Sequence, residues 1–302
     1  MPDDMNIGLI GLDTSHVERF LEVLNDAEDP NYAAGARIVM GYPGGSEDFE
    51  LSIGRVEEYT KMLRDDFEAR IVDSPEEVAE SCDAVIMTAV DGRVHRTLFE
   101  RIASAKKPTF IDKPFTVSAE DAEAIVQTAS DHATPVFSAS SLRFEEDLVR
   151  ALADDEKGAV TGAAFFGPMD IQPTQPGLFW YGIHTVNMLY ASLGAGCRQV
   201  SATTTENHDV VVGEWEDGRI GTVRGNRAGN FNFGGTLHRE QGSRPIVTAG
   251  PADRPKHACL MERILDFFRT GEPPVDNRET LETIRFIEAA NESRETGERV
   301  RI

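Results

Sequence analysis

The 302-residue chain has little lysine, only Lys61, Lys106, Lys107, Lys113, Lys157 and Lys256, and little cysteine, only Cys82, Cys197 and Cys259. Three widely spaced thiols without a CxxC pair specify neither a disulfide framework nor a zinc site, and they read as buried or inert. No apolar run reaches the ~20 residues of a membrane span. The acidic opening MPDDMN lacks the basic-then-apolar pattern of a secretory leader, so a cytoplasmic protein with no membrane partner is expected. There is no HExxH, EF-hand loop or Cys/His cluster, hence no expected metal, and neither a GxSxG elbow nor a Walker loop. Positive charge is scarce overall: 52 acidic residues face 30 basic ones, a formal net charge of −22. That field repels the phosphates of nucleic acid. Such self-repulsion favours a compact chain only where salt screens it, which suggests a halophilic source.

What is present is a soluble globular composition, 40% hydrophobic and 27% charged, on a chain long enough for two domains. In the first half, apolar β-rich runs alternate with helical patterns: MNIGLIGL with SHVERFLEVLND, ARIVMGY with SIGRVEEYTKMLRDDF, CDAVIMTAV with GRVHRTLFERIASA, PTFIDKP with SAEDAEAIVQTASDH, then PVFSAS. Strands separated by helices imply right-handed crossovers and a doubly wound parallel sheet over residues 1–140. The pattern then changes. A helix near Phe144–Ala153 precedes GAVTGAAFFG, the helix-like LFWYGIHTVNMLYASLG, and a run of strands containing a hairpin signal at Asp217-Gly218. Residues 141–302 therefore predict an α/β domain with a mostly antiparallel open sheet. The closing helices, stopped by Gly271 and Gly297, are free to pack back on the first domain.

The stretch GLIGLDTSHVERF begins as a dinucleotide-binding βα turn. In G-x-G-x-x-G the glycines make the turn, admit the pyrophosphate and allow helix packing. Here those positions hold Gly11, Asp13 and His16, so only the turn glycine remains. A charge on Asp13 would oppose phosphate at the helix N-terminus. Ser15-His16-Val17-Glu18 matches a capping box, and Thr14, Ser15 and free amides remain as phosphate donors. The second strand ends in Met40-Gly41-Tyr42-Pro43-Gly44-Gly45-Ser46 without the acid that binds NAD ribose hydroxyls. Ser46 and the downstream Arg55 leave NADP open beside NAD.

Three further segments carry a resemblance. Asp83-Ala84-Val85-Ile86-Met87-Thr88-Ala89-Val90 with His95, then Lys107-Pro108-Thr109-Phe110-Ile111-Asp112-Lys113-Pro114, Gly182-Ile183-His184, and the C-terminal FFRTGEPPVDNRETLETIRFIEAANESRETGERV together resemble the glucose-fructose oxidoreductase, inositol dehydrogenase and MocA family. Asp112-Lys113-Pro114 stands where that family usually has Glu-Lys-Pro. The resemblance implies a Rossmann domain, a second α/β domain whose sheet often makes dimer or tetramer contacts, and hydride transfer between a nicotinamide and a sugar or cyclitol carbon. It also implies Lys113 near the nicotinamide and His184 as acid/base or substrate-orienting group. Gly11, Asp13, Thr14, Ser15, Thr88, Ala89, Val90, His95, Asp112 and Lys113 would surround the cofactor.

The chemistry of the residues agrees with these roles. Oxidising an alcohol removes a hydroxyl proton as hydride leaves, which needs a group titrating near neutrality. Histidine does so, and lysine can be lowered by burial. Each residue also has a structural reading: Lys113 as a solvated turn lysine, His184 as a core histidine, His95 as a loop support. Relatives often carry Asp four residues before the histidine, where this chain has Trp180. Either Tyr181 or His184 then takes over the proton transfer, or the reaction is altered or lost. Trp180 is a candidate stacking face and Arg143 a candidate substrate fork or structural ion-pair partner. The leading expectation is an NAD(P)-dependent oxidoreductase for a small sugar-like substrate. The alternatives are a non-catalytic nucleotide- or sugar-binding regulatory protein, and an enzyme whose permanently bound cofactor serves a net non-redox reaction.

Overall fold

The computed structural model describes residues 4–248, 250 and 254–302, and the chain folds into two compact units. The first holds the chain up to Thr116 together with Glu120–Ala139 and His257–Asn277, and the second holds Val117–Ala119, Ser140–Lys256 and Arg278–Ile302.

The first unit is built on β1 (Met5–Ile10), α1 (His16–Asn25), β2 (Ala36–Tyr42), α2 (Glu50–Lys61), β3 (Arg70–Ile71), α3 (Pro75–Ser81), β4 (Ala84–Met87), α4 (His95–Ile102), β5 (Thr109–Ile111), α5 (Ala119–His132) and β6 (Val136–Phe137). Its six strands run parallel in the order β3-β2-β1-β4-β5-β6, the order of a dinucleotide-binding sheet. All four residues of β4 and the last four of β1 are buried, as strands covered on both faces must be. On α1 the buried Val17, Phe20, Leu21 and Leu24 recur at helical spacing and form its core-facing stripe. Ser15 makes no side-chain cap to this helix, so the expected capping box is not formed. Its φ of −61° and ψ of −13° are helical, whereas a capping side chain works from extended backbone. Thr14 Oγ1 instead accepts from the His16 amide at 3.4 Å.

In the second unit, α6 (Glu146–Ala153) and β7 (Val160–Pro168) precede α7 (Gly182–Leu193), β8 (Cys197–Thr204), β9 (His208–Trp215), β10 (Ile220–Asn226), β11 (Gly234–Arg239) and β12 (Gly242–Val247). After α8 (Lys256–Thr270) and α9 (Asn277–Thr296), β13 (Val300–Arg301) completes a seven-stranded sheet ordered β12-β11-β7-β10-β9-β8-β13. It is antiparallel except where β10 pairs parallel with β7. The Asp217-Gly218 turn joins β9 to β10, but only Gly218 takes positive φ, at +89°. The hairpin is therefore a longer turn closed by one left-handed glycine rather than a two-residue turn. On the sheet, α7 lies with Leu189 and Leu193 directly over Gly221 of β10. Phe267 of α8 packs edge-on to Phe137 of β6, ring centroids 4.8 Å apart. Cys82, Cys197 and Cys259 are buried free thiols, and burial pushes the first two up to about 11 and about 12. No helix among the described residues is long and apolar enough to cross a membrane.

Candidate functional site

In the first unit the carboxyl ends of β1, β2 and β4 meet around Gly11. Its φ is +94°, and a Cβ there would lie 2.4 Å from the backbone of Ala89, so no larger residue fits without moving the chain after β4. Thr88 reinforces the junction by donating its hydroxyl to the Gly11 carbonyl at 2.5 Å. Asp13 does not face outward. Its carboxylate, 1% exposed, accepts from the Val90 amide at 2.9 Å and from the Ser52 hydroxyl. Burial raises the Asp13 carboxyl above its usual range, with those two donors opposing. Ser52 in turn accepts from the Ser46 amide at 2.9 Å. One buried carboxylate thus ties the turn after β1 to the loop after β4 and to α2.

Beside this knot lies a cavity of about 260 Å³ lined by residues including Tyr42, Gly44, Gly45, Ser46, Ala89 and Arg93. The Ser46 hydroxyl is buried there with no hydrogen-bond partner among the described residues. Arg93 is the cation lining it, and its guanidinium pairs with Asp48 at 2.8 Å and with buried Asp91 at 2.7 Å. These two carboxylates push its pKa further up.

Toward β5, His16 occupies the place of the motif's third glycine and its Nδ1 bonds the Asp112 carboxylate. Its ring packs 4.8 Å from His257 and 5.6 Å from Phe20. The other Asp112 oxygen accepts from the Lys113 amide at 2.8 Å. Burial alone would raise Asp112, but its interactions with His16, including their hydrogen bond, and with Lys113 outweigh it and hold the carboxyl low. Lys113 is half-buried and leads into a cis peptide bond with Pro114. His95 is fully buried, with Nε2 2.7 Å from the Ala89 carbonyl and Nδ1 3.0 Å from that of Phe115. It bridges the loops after β4 and β5, and both ring nitrogens are occupied by backbone.

In the second unit His184 stands in the first turn of α7, with Nδ1 2.7 Å from the Ser140 hydroxyl. The Ser140 amide donates to Asn187 of the same helix at 3.1 Å, which locks the turn to α7. The rings of Tyr181 and Phe233 meet the imidazole edge-on at 5.8 and 5.5 Å. Trp180 is 8% exposed and packs against Tyr181. Arg143 is paired with Glu279 of α9 at 2.5 Å, both side chains mostly buried.

Residues 5–140 match the family described as an oxidoreductase family with an NAD-binding Rossmann fold, GFO_IDH_MocA. Among solved structures, an oxidoreductase from Agrobacterium radiobacter in complex with NAD+, L-tartaric acid and magnesium is 19% identical, with a TM-score of 0.76 over 99% of this chain and 98% of that one. A myo-inositol dehydrogenase from Corynebacterium glutamicum is 15% identical, with a TM-score of 0.78 over 99% of both chains. A scyllo-inositol dehydrogenase from Lactobacillus casei, with bound NAD(H) and scyllo-inositol, has the same identity, score and coverage. No curated protein matches in sequence. These likenesses carry the fold across both units, and the match of residues 5–140 is to an oxidoreductase family with an NAD-binding Rossmann fold.

For a dinucleotide, the residues present fit. The Gly11 turn admits a close backbone approach, the Ser46 hydroxyl awaits a partner, and the Asp13 charge is already spent on protein donors. The family pattern left several of these groups unsigned in the sequence. Ser52, Arg93 and Asp48 sit outside the glycine motif, and Glu279, Asn187 and Phe233 carry no motif of their own. Only the missing acid after β2 hinted that this end of the sheet is built differently, and Ser46 lines the cavity there.

Proposed function

We propose that the protein is an NAD-dependent dehydrogenase or reductase acting on a CH–OH carbon of a sugar, polyol or sugar-derived acid, with Lys113 and His184 at the reaction centre. The observation that carries this reading is the cavity at the ends of β1, β2 and β4, where a buried hydroxyl lacks a partner. A ribose hydroxyl would satisfy Ser46 in a chain whose second strand ends without the usual acid. Arg93 lines the same cavity with its charge matched by Asp48 and Asp91. A 2′-phosphate would therefore meet no uncompensated cation in the cavity lining, which favours NAD over NADP. Thr14, Ser15 and the first amides of α1 would hold the diphosphate.

When bound, the nicotinamide supplies the hydride acceptor for oxidation and the donor for reduction. The chain's own residues manage the proton. His184, oriented through Nδ1 by Ser140, takes the hydroxyl proton as the carbonyl forms and returns it in reduction. The Lys113 ammonium stabilises charge on the reacting oxygen, and Asp112 anchors it through the backbone amide. Tyr181, edge-on to His184, is the second proton-handling group. Trp180 walls the substrate side, and Arg143 offers substrate the donors that Glu279 leaves unused. The tartaric acid and scyllo-inositol bound by two structural neighbours are both polyhydroxylated, which supports that substrate class.

Fluorescence titration with NADH and NADPH tests the reading directly. Tighter binding of NADH is expected, with turnover of a polyol panel at the nicotinamide absorbance and a loss of about 10²–10⁴-fold in kcat for Lys113→Ala. Failure of both nucleotides to bind at millimolar concentration would overturn it. The non-catalytic alternative draws on His16, whose imidazole stands where the motif has a bare glycine. NADH binding without turnover of any polyol or sugar acid would favour that alternative.

A further inference from the structure

Lys256 is one of six lysines in a chain of net charge −22, and it is the first residue of α8. An ammonium gains nothing at the positive end of a helix dipole. Burial lowers its pKa below the usual lysine range, with Glu145 opposing. Its partners among the described residues are that carboxylate's field and the ring of Phe233, whose centroid lies 6.0 Å from Nζ.

Phe233 is itself placed by a close approach. It lies against Gly167 of β7, where a Cβ would come within 2.3 Å of the ring. The same ring stands T-shaped to His184, centroids 5.5 Å apart, and Tyr181 meets the same imidazole. An ammonium, the Phe233 ring, a Ser140-oriented imidazole and the Tyr181 ring thus follow one another, each beside the next, within the second unit.

We propose that Lys256 is an anion-binding group of the substrate site, and that the substrate is a polyhydroxy carboxylic acid of the aldonate or uronate class. Its carboxylate pairs with Nζ, a C–H face lies on Phe233, and the carbinol carbon reaches His184. This rests on the reading of His184 as the group at the reacting carbon. A partly desolvated ammonium gains a charge-assisted pair from a carboxylate and far less from a neutral polyol. The acidic protein field repels anions, so selecting one calls for local positive charge, and Lys256 supplies it beside Phe233.

The test is binding, read by calorimetry on the full chain, of gluconate and of sorbitol, which share length and hydroxyl pattern but differ in charge. Gluconate should bind at least about tenfold more tightly than sorbitol. Lys256→Met should remove that margin, and Lys256→Arg should keep most of it. Wild-type protein that prefers sorbitol, or that binds neither, overturns the proposal without any variant, as does a Lys256→Met protein that still prefers gluconate. NADH titration of the same samples separates the two readings. Gluconate preference without nicotinamide binding would sink the redox assignment and leave the anion site standing. NADH binding with sorbitol turnover and no gluconate preference would do the reverse.

Discussion

Replacing Gly11 by alanine asks whether the β1–β4 junction is as close as the geometry states. Two costs follow. The backbone at φ +94° disfavours any side chain by about 1–2 kcal/mol. The new Cβ would also stand 2.4 Å from Ala89 N and Cα, and main chain cannot swing aside as a side-chain tip does, which adds about 1–3 kcal/mol. The sum is about 2–5 kcal/mol, or a drop of roughly 5–15 °C in melting temperature at about 3 °C per kcal/mol. Gly218→Ala supplies the control. Its φ is +89° with nothing within 4 Å of the added carbon, so it carries the strain alone, about 1–2 kcal/mol. Thermal melts and urea midpoints of both variants, in the same salt, measure the difference. NADH titration should show weakened binding only for Gly11→Ala. Equal losses in the two variants would refute the close approach of these strands.

Three other outcomes follow from the same geometry. Asp13→Ala leaves the buried Val90 amide and Ser52 hydroxyl without their acceptor and should lower the denaturation midpoint by about 1–3 kcal/mol, whereas Asp13→Asn, which keeps an acceptor for Val90, should lose less. Asp112 is held below its ordinary range by His16 and Lys113 against its burial, so its contribution is complete above the unfolded-state value of about 4 and is lost as pH falls through the depressed native one. A melting-temperature profile should therefore fall less steeply in acid for Asp112→Asn than for wild type. The net charge of −22 predicts that the melting temperature rises as potassium chloride shortens the ~10 Å Debye length of dilute buffer, and a flat salt profile would remove the halophile reading.

The fold was legible because its signals are local. The alternation from β1 to β6 and the stop glycines after α8 and α9 lie within single windows of sequence. What escaped was short or long-range. β3 contributes two residues, Arg70 and Ile71, too few to leave a run, and the parallel pairing of β10 with β7 joins strands separated by α7 and a meander. The capping box matched in sequence and failed in space, because Ser15 is already helical. In the candidate site, Gly11 could be read from the turn it makes. The destination of Asp13 could not, since its partners lie 39 and 77 residues away. The same holds for His16 and Asp112, 96 residues apart, and for Lys256, whose meaning depends on a ring packed against Gly167.

The two departures from the glycine motif share one logic. A glycine-rich turn leaves its backbone amides for phosphate and depends on close packing to hold its shape. Here Asp13 satisfies the Val90 amide and His16 grips Asp112, so side chains cross-tie the ends of β1, β4 and β5 before any ligand arrives. Such ties reduce the ordering cost of binding while removing the glycines' permissiveness. A carboxylate at position 13 is compatible with an anionic ligand because it is buried and hydrogen-bonded inward. A histidine at 16 is compatible because its Nδ1 is committed to the carboxylate beside Lys113. The substitutions therefore transfer part of the organisation of this end of the sheet from backbone to side chains, through the residue that each one engages.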